Sequence, residues 1–120
     1  MAVHNEMGKI GEQMARRHME QLGFEILETN WRVGHLEADI IAQKDGMIVF
    51  VEVKTTANEA FGEPEDFVDR RKQRAYIRLA DTYVQQHNLL EEVRFDIISV
   101  VINASGCQIN HLPNAYTTIG

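Results

Sequence analysis

One stretch restricts the fold more than any other: Leu36 to Lys54, reading LEADIIAQKDGMIVFVEVK. Two apolar runs flank Asp45-Gly46, a dipeptide suited to a tight type I′ turn because both central residues must take positive φ. With a two-residue loop at 45 and 46, residues facing one another across the hairpin have numbers summing to 91. Asp39 then opposes Glu52, and Glu37 opposes Lys54. Opposed residues share a face, with Cβ atoms roughly 4.5–5.5 Å apart. A three-residue loop would shift the register by one and put Asp39 and Glu52 on opposite faces.

Two carboxylates held side by side repel unless a proton or a cation lies between them. A hard divalent ion taking oxygen ligands at about 2.0–2.6 Å fits such a gap. Ile41, Ile48 and Phe50 share the acidic face, which favours a cleft over a fully wet surface. Alternatively the hairpin is half solvated, with Glu37–Lys54 a cross-strand ion pair and Asp39 and Glu52 pointing to water.

Further pieces accompany the hairpin in order along the chain: Gly8-x-x-Gly11-Glu12-x-x-Ala15, Asn30-x-Arg32, Glu37-Ala38-Asp39-Ile40-Ile41-Ala42, Phe50-Val51-Glu52-Val53-Lys54, Phe61-Gly62-x-Pro64, Lys72 and Arg94-Phe95-Asp96. Asp39 followed by Glu52-Val53-Lys54 resembles the D…(D/E)-x-K signature of the restriction-endonuclease-like nucleases, PD-(D/E)XK. The whole ordered set resembles more closely the YraN family of small endonuclease-like bacterial proteins, which are similar to archaeal Holliday-junction resolvases. The chain departs from that family at Leu36-Glu37-Ala38-Asp39, where Gly-Glu-Ile-Asp is common. It departs again at Thr55-Thr56, where an arginine often follows the motif lysine, so no phosphate contact carries over there.

The resemblance implies a restriction-endonuclease-like core and hydrolysis of DNA phosphodiester bonds with magnesium or manganese. Asp39 and Glu52 would be metal ligands, with the Val53 carbonyl a further one. Lys54 would orient or help deprotonate the attacking water, or stabilise the transition state. Glu12 and Glu37 would be auxiliary ligands or hold Lys54, and Lys72, Gln73 and Arg32 would contact substrate. DNA is the implied partner, and a homodimer is left open. The alternative from another class is a catalytically silent module that binds branched DNA or a protein and keeps its carboxylates for structure.

At 120 residues the chain is expected to form one domain, 1–120, with a workable core. A single cysteine, Cys107, excludes an internal disulfide and fits a reducing compartment. The N-terminus lacks the basic and apolar regions of a signal peptide, and no run approaches the roughly 20 apolar residues of a membrane span. A soluble cytoplasmic protein is expected. The net charge of −6 argues against strong binding to nucleic acid, since polyanion binders are basic at least locally. Zinc deaminase chemistry needs a Cys-x-x-Cys pair that one cysteine cannot supply. His35, Glu37 and Asp39 alternate on one strand face and are a weaker transition-metal candidate. No phosphate-binding glycine loop, HExxH pair or nucleophile elbow is present.

Along the chain, Met7, Ile10, Met14, Met19 and Leu22, with small Gly11 and Ala15, predict a helix from about His4 to Leu22, stopped by Gly23. A strand is predicted over Phe24–Arg32, then the hairpin, then a polar loop over Thr55–Glu63. A second helix is predicted over Glu65–His87 on the stripe Val68, Tyr76, Leu79, Tyr83. Lys72 lies within that stripe, so it either snorkels out or points at something anionic. Arg70, Arg74 and Arg78 form an i, i+4 ridge beside Arg71. Like charges at that spacing cost roughly 0.2–0.5 kcal/mol per pair, and the helix dipole disfavours cations so early. The ridge faces away from the stripe and is expected to be solvated. Strands over Val93–Ile102 and Cys107–Leu112 follow, and the tail Pro113–Gly120 carries no pattern. The expected order is α-β-β-β-α-β-β, an α/β mixed sheet of about five strands flanked by helices, with one parallel crossover.

Overall fold

A computed structural model describes residues 2–57 and 68–117. Asp45 and Gly46 both take positive φ, 51° and 78°, the combination a type I′ turn demands. The register follows from that turn. β2 (Leu36–Lys44) and β3 (Met47–Thr56) pair antiparallel from Lys44↔Met47 to Ile40↔Val51, each pair summing to 91.

Around the hairpin the elements are α1 (Ala2–Gln21), β1 (Glu25–Val33), α2 (Arg70–Gln86), β4 (Glu92–Asn103) and β5 (Gly106–Tyr116). The sheet order is β1-β2-β3-β4-β5, antiparallel throughout except for the parallel pair β3–β4, whose connection contains α2. The architecture is therefore a five-stranded mixed α/β sheet with a helix on each face.

Strand β3 lies at the centre, and its run Ile48–Val51 is buried on both sides, as an interior strand covered by two helices requires. Ile48 and Phe50 join Ile41, Tyr76, Leu79, Tyr83 and Phe95 beneath α2. Val49 and Val51 join Ala15, Met19, Ile40, Ala42, Ile98 and Val100 beneath α1.

Helix α1 ends as the sequence predicts. Gly23 takes φ 96°, its N–H donates to Glu20 O, and the Phe24 N–H donates to Met19 O, which is a Schellman cap. Its buried line, however, runs through Gly11, Ala15 and Met19, while Ile10 and Leu22 of the expected stripe are exposed. Small residues win that face because the helix lies close to the sheet. A Cβ added at Gly11 would stand 1.9 Å from Thr55 Oγ1.

Helix α2 starts at Arg70, later than expected, because the Asp69 carboxylate caps it by accepting from the Lys72 N–H at 2.9 Å. Glu65 lies outside the described residues, as do Phe61, Gly62 and Pro64 and most of the predicted loop; Thr55 and Thr56 belong to β3. The tail is the largest departure from expectation. β5 continues through Pro113 to Tyr116, and the pairing shifts register between Phe95↔Tyr116 and Ile97↔Leu112. Asn114 takes φ 52° in that irregularity. Pro113 is tolerated because β5 is an edge strand. Tyr116 is buried and stacks on Phe95, with centroids 5.0 Å apart.

Candidate active site

The β2–β3 ladder ends at Ile40↔Val51, although both strands run on. The side chain of Asp39 replaces the next backbone partner: its Oδ2 accepts the Val53 N–H at 2.7 Å. Ala38 then packs on the α2 side while Ile40 packs on the α1 side, so strict alternation breaks at Asp39. The strands part there, and a cleft of about 350 Å³ opens against α2.

Asp39 and Glu52 both line this cleft, with Glu37, His35, Lys72 and Tyr76. Burial pushes the Asp39 carboxyl up to about 8, with the charge of Glu52 beside it adding to the effect. Glu52 is 8% exposed. Its Oε2 lies 3.0 Å from Lys72 Nζ but has no aligned hydrogen-bond donor among the described residues. Among the described residues, these two carboxylates thus share the single ammonium of Lys72 at this cleft, a balance that leaves room for a further cation.

The other sequence candidates are placed differently from one another. Glu37 is at the cleft, but its partner is Arg32, at 2.5 Å, its neighbour across the β1–β2 ladder. Lys54 does not form the cross-strand pair with Glu37; it is exposed and does not line the cleft. Glu12 reaches Asp39 from the opposite side, in an adjoining cavity of about 230 Å³ that also holds Asn30 and Arg16. Burial raises the Glu12 carboxyl too, with Glu37 and Glu52 adding to it and a bond from Asn30 opposing. Gln73 is turned away from the cleft, donating to Val68 O at 3.1 Å. Val53 contributes its N–H to Asp39. Among the described residues, no three His, Cys, Asp or Glu side chains gather as a ready metal cage.

Two tyrosines were not singled out from sequence as site residues. Tyr76 lines the cleft with its hydroxyl buried beside the Asp39 backbone, and the buried Tyr116 hydroxyl has no hydrogen-bond partner among the described residues. Burial raises both phenols, with the charge of Glu52 next. Tyr76 lies one helical turn from Lys72, so a tyrosine and a lysine on one core-facing stripe was the signal available.

A second polar network lies under α1. Asp96 is 1% exposed and accepts from Arg94 at 2.8 Å through both carboxylate oxygens, and from the Asn114 N–H at 2.9 Å. His111 Nε2 lies 2.7 Å from it, and His111 Nδ1 lies 3.1 Å from His18 Nε2. Burial would raise the Asp96 carboxyl, but His111, Arg94 and the Asn114 N–H outweigh it and hold it low.

Comparison with known proteins gives one consistent result. The family model described as "Uncharacterised protein family UPF0102" matches residues 11–100. A UPF0102 protein of Bacteroides thetaiotaomicron is 43% identical over 116 residues, covering 97% of this chain and 96% of its own. One of Flavobacterium psychrophilum is 41% identical over 116 residues, covering 97% and 98%. One of Porphyromonas gingivalis is 42% identical over 118 residues, covering 97% and 87%. No helix among the described residues is long and apolar enough to cross a membrane.

Proposed function

The chain belongs to the uncharacterised protein family UPF0102, and from that premise and the geometry of the cleft we propose that it is a metal-dependent DNA endonuclease of the restriction-endonuclease-like kind. The observation that carries the proposal is the convergence of Asp39 and Glu52 on one cleft wall. Burial and the neighbouring charge of Glu52 push the Asp39 carboxyl toward protonation, and Glu52 is paired with Lys72 at 3.0 Å.

This donor set fits a hard divalent cation. Asp39 and Glu52 would hold magnesium or manganese, and water with a backbone carbonyl such as that of Val53 would complete the shell, since magnesium usually keeps several waters. When bound, such an ion supplies Lewis acidity and lowers the pKa of a bound water. The chain's own groups do the rest. Lys72 neutralises charge at Glu52 and is placed to meet a phosphate oxygen. Glu37, held by Arg32, and His35 shape the rim. Tyr76 offers a hydroxyl donor at the cleft wall.

A catalytically silent binding module is the second reading, favoured by the exposure of Lys54 away from the cleft. Incubating the protein with linear, single-stranded and branched DNA in magnesium or manganese separates the two. Metal-dependent cleavage lost in Glu52→Gln supports the nuclease. Binding without cleavage in every combination supports the module.

A further inference from the structure

Helix α2 has a second concave side. Lys72, Ala75, Tyr76 and Leu79 face the acidic cleft. Offset from them on the helix, Arg70, Gln73 and Arg74 line a groove of about 520 Å³ whose other wall is the end of β5: Asn114, Tyr116 and Thr117. The groove is basic on a chain of net charge −6. Neither Arg70 nor Arg74 has an ion-pair partner among the described residues.

Those arginines are placed against their own helix. They repel each other at i, i+4 and sit in the first turns, where the dipole favours anions. The Asp69 carboxylate already caps the helix end, so what an anion in the groove removes is the repulsion between the two arginines. The wall opposite offers polar contact at Asn114. The Asn114 N–H is turned inward to Asp96, at φ 52°, and its carboxamide is left at the surface. Tyr116, more than nine-tenths buried, forms part of the floor, its enclosed hydroxyl without a hydrogen-bond partner among the described residues.

We propose that this groove is a track for the DNA backbone, in which Arg70 and Arg74 hold phosphates on the far side of α2 from the acidic cleft. The proposal rests on the endonuclease reading for its substrate. A helix is about 10–12 Å across, so a strand held at both places spans the width of α2. The acidic cleft repels DNA on its own, and the groove supplies the attraction that brings a strand across it.

The test is fluorescence anisotropy of labelled single-stranded and duplex DNA in EDTA over a salt series, with wild type, Arg70→Glu/Arg74→Glu and Arg78→Glu. Arg78 lies outside the groove and serves as control. The double variant is expected to bind at least tenfold more weakly and to lose about two phosphate contacts' worth of salt slope, roughly 0.7–0.9 each. Glutamate suits a helix start, so its melting temperature should hold or rise, which separates lost binding from lost folding. An unchanged slope in the double variant, or an equal loss in Arg78→Glu, overturns the groove. So does a wild-type protein that binds neither DNA. Cleavage by wild type in magnesium or manganese is scored separately: its absence beside an arginine-dependent slope refutes the nuclease and keeps the groove.

Discussion

Lys72 Nζ lies 3.0 Å from Glu52 Oε2, whereas Lys54, the lysine of the Glu-x-Lys motif, is exposed outside the cleft. The two lysines therefore make different predictions. Lys72→Met should lower DNA cleavage by about 10²–10³, the usual cost of losing one electrostatic stabiliser. It should also tighten magnesium binding, because the cation that neutralises Glu52 is gone. Lys54→Met should cost less. Paired cleavage rates and calorimetric metal titrations check this, and a larger loss at Lys54 would reverse the assignment.

Asp39 should make the metal-free protein pH-sensitive. Its carboxyl titrates near 3.8 in an unfolded chain and near 8 in the folded one. Between those values the folded state keeps a proton the unfolded state has lost, so stability falls as pH rises through the window. Above the folded value the effect levels off. Melting curves in EDTA should show this slope in wild type and a flatter one in Asp39→Asn. Metal affinity should run the opposite way, rising with pH as the carboxylate is freed.

Magnesium or manganese should raise the melting temperature by binding the folded state alone. Glu52→Gln and Asp39→Asn should each remove that increase. A shift that survives both substitutions places the ions elsewhere.

The Asp96 network should dominate the stability of the β4–β5 edge. Asp96→Ala leaves Arg94 and His111 without their shared partner, and breaking a buried pair costs about 3–5 kcal/mol. Chemical denaturation measures the loss. Because the Asp96 carboxyl is held low, its contribution is present at neutral pH and is lost only as pH falls below the ordinary carboxylate range.

Gly11→Ala tests how closely α1 lies on the sheet. Alanine in place of glycine within a helix ordinarily gains about 1 kcal/mol. Here the new Cβ would meet Thr55 Oγ1 at 1.9 Å and two further Thr55 atoms at 2.9 Å. The substitution should instead destabilise by about 1–3 kcal/mol, and Thr55→Gly in the same protein should recover much of it.

The fold was legible where the backbone is governed locally. Asp45-Gly46 demands one turn type, the turn sets the register, and alternation from there places Ile48, Phe50, Val49 and Val51 on their faces. Asp39 and Glu52 were legible as neighbours because the register holds to Ile40↔Val51, one residue short of them, but the break at Asp39 that opens the cleft was not. Lys72 could be seen to face inward by helical period, but its target across the chain could not. Lys54 follows the strand period, yet it is exposed and does not line the cleft, since alternation gives a face and not the reach of a side chain. The β5 extension was hidden because Pro113-Asn114 looks like a chain break unless its edge position and the Asp96 carboxylate that receives the Asn114 N–H are known. The histidine relay from Asp96 to His18 joins residues 93 positions apart at its final step, beyond any local pattern.

The bond from the Val53 N–H to Asp39 ties the acidic residue to the architecture as well as to the proposed chemistry. Asp39 ends a ladder, and losing it exposes a backbone donor whether or not any substrate is turned over. On the nuclease reading, a descendant that abandoned catalysis would still be selected to keep this aspartate. A genome survey that used it as a marker of activity would count inactive members as active. Glu52 and Lys72 do not carry that double duty, so their joint loss is the signature by which a retired member of the lineage would be recognised.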